Sequence, residues 1–180
     1  MNSVIRWVGG VFLALAVATP MAWADEVTSA QVKATIKTFE TKDPSMKKRF
    51  KSAHGYAVFP DIGKAGLIIG GGGGDGHVFE RGRLIGTAEV SMLNVGATAG
   101  VQHYSEVIFF KDKAALDRFR ANKLEFDANA SAVIAKSGAS DSADYHGGVL
   151  VFTHPTEGVM LEASIGGQKF TFHPKGKKKM

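Results

Sequence analysis

At Gly55 the apolar period of the chain changes, and that change sets the fold class. Before it, Val32, Ile36 and Phe39 fall at i, i+4 and i+7, a stripe at helical spacing. Met46 and Phe50 repeat the four-residue step in a second segment, residues 45–52, which Asp43 and Pro44 introduce as N-cap and first helical residue. After Gly55 the period is two. Tyr56, Ala57, Val58 and Phe59 end at Pro60, and the short apolar run 65–69 enters five glycines, Gly70 to Gly74. Residues 77–80 and 83–92 flank Arg81-Gly82 as a hairpin. Small residues alternate over 95–104, a pattern that lets another layer approach closely. Asp112 is placed to cap a short helix with Ala115, Leu116 and Phe119 on one face. Residues 124–132 alternate again, 136–146 read as a loop, and 149–153, 159–164 and 169–172 make two last hairpins. The expected fold is α+β: an antiparallel, barrel-like β core with N-terminal amphipathic helices and one short mid-chain helix.

The start of the chain carries a different signal. Arg6 precedes an apolar run from Trp7 to Val17, then come Pro20 and the small-x-small triplet Ala22-Trp23-Ala24. That is the three-part pattern of a secretory signal peptide, with cleavage expected between Ala24 and Asp25. The run falls short of the roughly 20 apolar residues a membrane-spanning helix needs. The expected organisation is therefore a signal peptide over 1–24, a helical segment over 25–52, a β-rich domain over 53–174 folded as one unit with the helices, and a basic tail over 175–180. The expected location is periplasmic or secreted. The chain has no cysteine, so an exported domain must rest on its core, without disulfides or thiolate metal sites. A net charge of +5 favours anionic partners, and export makes nucleic acid the least suited of them.

Few motifs carry chemistry. The Gly70–Gly74 run enters His77-Val78-Phe79, a strand, where a phosphate-binding loop needs Gly-Lys-Ser/Thr opening a helix. A calcium-binding glycine-aspartate nonapeptide would have to repeat, and the Gly70 to Asp75 match occurs once. A lipid-contacting loop and a bulged connection between strands remain open for the run. The six histidines show no i, i+2 or i, i+4 spacing, so no metal is expected. Neither a nucleophile elbow nor a zinc-protease helix is present. The chain is expected to be non-enzymatic, without a cofactor.

The N-terminal helices give the stronger signal. Residues 25–51 hold seven bases and four acids. Basic residues on one face with Ile and Phe on another are the pattern of a helix lying on a membrane surface. The candidate lipid-binding residues are Lys33, Ile36, Lys37, Phe39, Lys47, Lys48, Arg49, Phe50 and Lys51. An ordinary helix packed on a sheet with a solvated basic rim fits the same residues.

The stretch Gly55-Tyr56-Ala57-Val58-Phe59-Pro60, followed by Lys64-Ala65-Gly66-Leu67-Ile68-Ile69-Gly70-Gly71, resembles the signature of the SYLF domain. The likeness continues through Val95-Gly96-Ala97-Thr98-Ala99-Gly100-Val101-Gln102 and Glu106-Val107-Ile108-Phe109-Phe110, and more faintly through residues 126–131 and 158–162. The resemblance implies a lipid-binding module with a preference for anionic headgroups. The expected partner is an anionic phospholipid or membrane surface of the cell envelope, with no actin association in an exported protein. The alternative is a structural or interaction protein of the envelope that binds protein or polysaccharide.

Overall fold

The computed structural model describes residues 27–66, 69–95, 101–126, 132–157 and 165–176. Residues 1–26, where the signal peptide is expected, 67–68, the small-residue run 96–100, 127–131, 158–164 with the strand expected there, and 177–180 lie outside the described residues.

Two helices, α1 (Ser29–Lys42) and α2 (Met46–Ser52), precede the first strand. Thr28 and Gln31 close a reciprocal capping box at the start of α1, Thr28 Oγ1 accepting from Gln31 N at 3.2 Å and Gln31 Oε1 from Thr28 N at 2.8 Å. Asp43 ends α1 rather than opening α2, whose N-cap is Ser45. Then come β1 (Gly55–Gly66), β2 (Ile69–Glu80), β3 (Arg83–Val95) and β4 (Val101–Phe110). They are followed by α3 (Lys113–Arg120), β5 (Val133–Ile134), the single turn α4 (Ala139–Ser142), β6 (Val149–Glu157) and β7 (Gln168–Pro174). Asp112 caps α3 by accepting from Ala115 N at 2.9 Å, and Ala115, Leu116 and Phe119 are buried.

The strands form one seven-stranded mixed sheet in the order β5-β6-β4-β1-β2-β3-β7. Every pairing is antiparallel except the two-residue match of β5 to β6. The architecture is α+β, as the change of period implies. The barrel-like closure expected from sequence is not found: β5 and β7 stand at opposite edges of the described sheet, and two-residue β5 offers too little backbone to join them. The sheet is nevertheless coiled, because side chains of β7 reach those of β4 across its inner face.

Alternation sorts the side chains into two cores. The inner one gathers Phe59, Ile62, Val78, Val90, Ile108, Phe110, Phe170 and Phe172 under Leu116 and Phe119 of α3. The outer one joins Val58, Val107, Phe109 and Phe152 to Val32 and Phe39 of α1 and Met46 of α2. α1 thus lies on the sheet with its apolar stripe buried, and does not present that stripe as a membrane-lying helix would.

The Gly70–Gly74 run is neither a loop nor a connection: it lies within β2, with Gly70 to Gly73 paired on both sides and Gly74 paired with β3. A Cβ at Gly72 would collide with the Gly63 carbonyl oxygen, and one at Gly74 with that of Asp61. β1 and β2 approach too closely there for any side chain on that face. The register of β1 also shifts between Val58 and Gly63, as at a β-bulge, which bends the strand locally.

Candidate functional site

The nine candidate residues divide by what the fold does with them. Lys33, Lys37, Lys47, Lys48 and Lys51 are exposed. None of the five forms an ion pair among the described residues. Phe39 is 0% exposed and packs edge-on to His154 at 6.3 Å. Ile36 is half-buried against the outer core. Phe50 is half-buried, with its ring 5.1 Å from Tyr56 and 4.9 Å from Phe109. Arg49 donates to the Ser140 carbonyl through Nε (3.1 Å) and Nη2 (2.5 Å) and to the Ala143 carbonyl at 2.6 Å, with its guanidinium 5.6 Å over the Tyr145 ring. The structure therefore leaves five lysines exposed along the helical rim that α1 and α2 make. It gives Ile36, Phe39, Phe50 and the Arg49 guanidinium to the attachment of that rim to the sheet.

Asp43 holds the rim in place. Its buried carboxylate accepts from Ser45 N (3.1 Å), Ser45 Oγ (2.6 Å), Gly138 N (3.2 Å) and Ser140 N (2.7 Å). Burial alone would raise its pKa. The hydrogen bonds from Ser45, Ser140 and Gly138 outweigh burial and hold it below the ordinary carboxylate value. Ser45 and Ser140 also bond through their hydroxyls, so the α1–α2 junction and the turn at α4 are one knot.

A second polar group sits inside the coiled sheet, and the sequence reading missed it. Gln168 Nε2 on β7 donates to Glu106 Oε2 at 2.9 Å and to the Tyr104 hydroxyl at 3.2 Å, both on β4. Glu106 is fully buried, and burial pushes its carboxyl up to about 7, with the Gln168 bond offsetting only part of the rise. Burial, and then the Glu106 charge, raise Tyr104 as well. Glu106 Oε1, Gln168 Oε1 and Thr153 Oγ1 are buried without a partner among the described residues. Thr153 lies directly opposite Glu106 in the β4–β6 register. The signal was available in part: Glu106 shares its alternation with Tyr104, Ile108 and Phe110, all buried on the inner face.

Three histidines pair with carboxylates, His103 with Asp61 at 3.0 Å and His173 with Glu89 at 3.4 Å across strands, and His54, just before β1, with Glu80 at 3.0 Å. His77 is buried and donates to the Val27 carbonyl at 3.0 Å, tying the start of the described chain to β2. Among the described residues no three His, Asp or Glu side chains gather closely enough to hold a metal ion. Nor is any described helix long and apolar enough to cross a membrane.

Two comparisons place this structure among known proteins. The Ysc84 family, described as Las17-binding protein actin regulator, matches residues 91–180, which hold the last five residues of β3 and everything after it. Beta cell expansion factor A of Aeromonas veronii is 34% identical over 131 residues, covering 72% of this chain and 49% of that protein. The chain therefore spans about half the length of the curated relative it matches. With the period-two strands, the glycine-filled β2 and these two matches together, the chain belongs to the SYLF (Ysc84) family.

Proposed function

We propose that this protein is a non-enzymatic phospholipid-binding module of the cell envelope, with anionic headgroups met by the basic rim of α1 and α2. Membership of the SYLF family supports lipid binding in general. The observation that carries the finer reading is the rim itself. Lys33, Lys37, Lys47, Lys48 and Lys51 stand exposed, while the apolar side of both helices is held in the outer core. Lysines without a protein counter-charge exchange their solution counterions for lipid phosphates, and each base near an anionic surface contributes about 1 kcal/mol.

The division of labour differs from that of a free amphipathic helix. Binding is led by charge, and the apolar residues set the orientation of the rim. The three-part pattern of residues 1–24 supports reading the module as exported, with cleavage between Ala24 and Asp25. An exported module would not meet actin, so the actin regulation named in the family description is not carried over to this chain.

Vesicle co-sedimentation of Lys33→Gln/Lys37→Gln/Lys48→Gln tests the reading. The variant should bind anionic vesicles at least tenfold more weakly than the unsubstituted protein, by the same per-charge contribution. Undiminished binding would remove the rim from the mechanism.

A further inference from the structure

The hairpin between β2 and β3 is closed by Arg81 and Gly82, both at positive φ, 48° and 77°. A two-residue turn with both central residues in that region is type I′, and Asn-Gly or Gly-Gly fills it without strain. Here an arginine occupies the position that disfavours it. A strained, non-glycine residue held at a turn tip is a reason to look for what its side chain does.

Arg81 is exposed, and so are the bases around it. Arg83 follows at once as the first residue of β3, paired with Glu80. The same end of the sheet receives the end of β4, since Gly55 lies opposite both Glu80 and Phe110. Lys111 leaves β4 there, exposed, with its backbone N–H donating to Gly148 O at 2.9 Å. Lys113 and Arg118 of α3 sit at this end because Arg118 donates to the Gly147 carbonyl. Lys175 arrives from β7, its N–H donating to Ile85 O at 2.8 Å.

The acids of this end are already engaged. Glu80 pairs with His54 at 3.0 Å, Asp112 caps α3 at Ala115 N, and Asp117 pairs with Lys113 at 2.5 Å and Arg120 at 3.7 Å. Arg81, Arg83, Lys111 and Lys175 have no ion pair among the described residues. Arg118 bonds only a neutral carbonyl and keeps its full charge.

We propose that this end of the sheet, with Arg81 at its tip, is a second membrane-contacting surface that rests on an anionic phospholipid bilayer. The inference rests on the lipid-binding reading above and adds to it where the bilayer lies. Cations delivered by separate elements to one end of the molecule suit a surface that carries many phosphates. The end is also continuous with the rim already described, because α2 finishes in Lys51-Ser52 immediately before β1 begins there. The bilayer then meets the α2 end of the rim and the strand ends together.

The test compares the unsubstituted protein with Arg81→Asn/Arg83→Gln/Lys111→Gln on vesicles of equimolar phosphatidylcholine and phosphatidylglycerol. Asparagine suits the turn better than arginine, so the hairpin is kept, and a thermal midpoint no lower than that of the parent verifies it. Three lost charges should weaken partitioning about a hundredfold. Unchanged partitioning of the folded variant, with the parent still bound, overturns the inference and leaves the lipid-binding reading standing. Failure of the parent to bind overturns both. Loss of binding to heparin with vesicle binding intact would assign the surface to an anionic polysaccharide and also overturn the inference.

Discussion

Gln168 Nε2 donates to Glu106 Oε2 at 2.9 Å, joining β7 to β4 although β1, β2 and β3 lie between them in the sheet. That bond measures how far the sheet coils, and it leaves a carboxyl in the middle of the inner core. Burial raises the Glu106 pKa from the ordinary 4.5 to about 7. Between those values the folded protein holds a proton that the unfolded chain has released, so stability falls as pH rises through this window. The loss is about 3 kcal/mol from pH 4.5 to 7. Glu106→Gln removes the titration while keeping the shape. Urea midpoints should therefore agree at pH 5 and favour the variant at pH 8. Parallel curves for the two proteins across that range would contradict the assignment.

The glycine-filled β2 predicts a contrast within one run. At Gly74 a Cβ meets the Asp61 carbonyl, whereas at Gly71 the nearest atom, Met92 O, is at an ordinary 3.5 Å. Gly74→Ala should lower stability by about 3 kcal/mol or prevent folding, since the opposing atom is backbone and cannot turn aside. Gly71→Ala should be neutral or stabilising by up to about 1 kcal/mol, because alanine restricts the unfolded chain. Denaturant unfolding distinguishes the two. Equal effects would mean the run is only a spacer.

Asp43 makes a prediction of opposite pH sense. Its carboxylate receives four hydrogen bonds, three at Oδ1 and one, from Ser140 N, at Oδ2; in Asp43→Asn one oxygen goes on accepting, uncharged, while an NH2 group faces the donors of the other. The variant should be less stable by about 2–4 kcal/mol at neutral pH, since buried donors lose their charged acceptor. Because the folded pKa is lowered, this contribution is complete above the ordinary 3.8 and is lost as pH falls through the folded value. Hydrogen exchange should show amides of residues 138–140 opening first in the variant. Unaltered protection there would show that Asp43 does not hold the knot.

How much of this was legible follows from how local each cause is. The strands of the β core, the Arg81-Gly82 turn and the Asp112 cap of α3 rest on neighbours a few residues apart, and period and turn chemistry reveal them. The glycine half of β2, residues 70–76, was not legible, because glycines have no side chain to show an alternation, whereas 77–80 read as the first arm of the hairpin. Only the approach of Asp61 and Gly63 from β1 explains them. The burial of Glu106 could be read from its alternation, but its partner Gln168 lies 62 residues on. Arg49 shows the same limit. Its basic character was visible, while its use in bonding Ser140 and Ala143 depends on a segment more than 90 residues away. The exposed lysines of the rim were read without difficulty, since exposure on a packed helix is set by local spacing.

Arg81 predicts a gain in stability when it is replaced. Arg81→Asn relieves a left-handed conformation at φ 48° and should raise stability by about 0.5–1 kcal/mol. The same substitution should weaken binding to anionic vesicles. A variant that is both more stable and less able to bind marks a residue kept for contact rather than for folding. A loss of stability would show that the arginine supports the turn in some other way.

The central claim is charge-led binding to phospholipid, and a salt titration of vesicle binding tests it most directly. Purified protein is floated with phosphatidylglycerol-containing vesicles and with phosphatidylcholine vesicles at rising ionic strength. The account predicts binding to the anionic vesicles alone, weakening steadily as salt shortens the reach of the lysines. Equal binding to both vesicles, binding indifferent to salt, or no binding to either would contradict it.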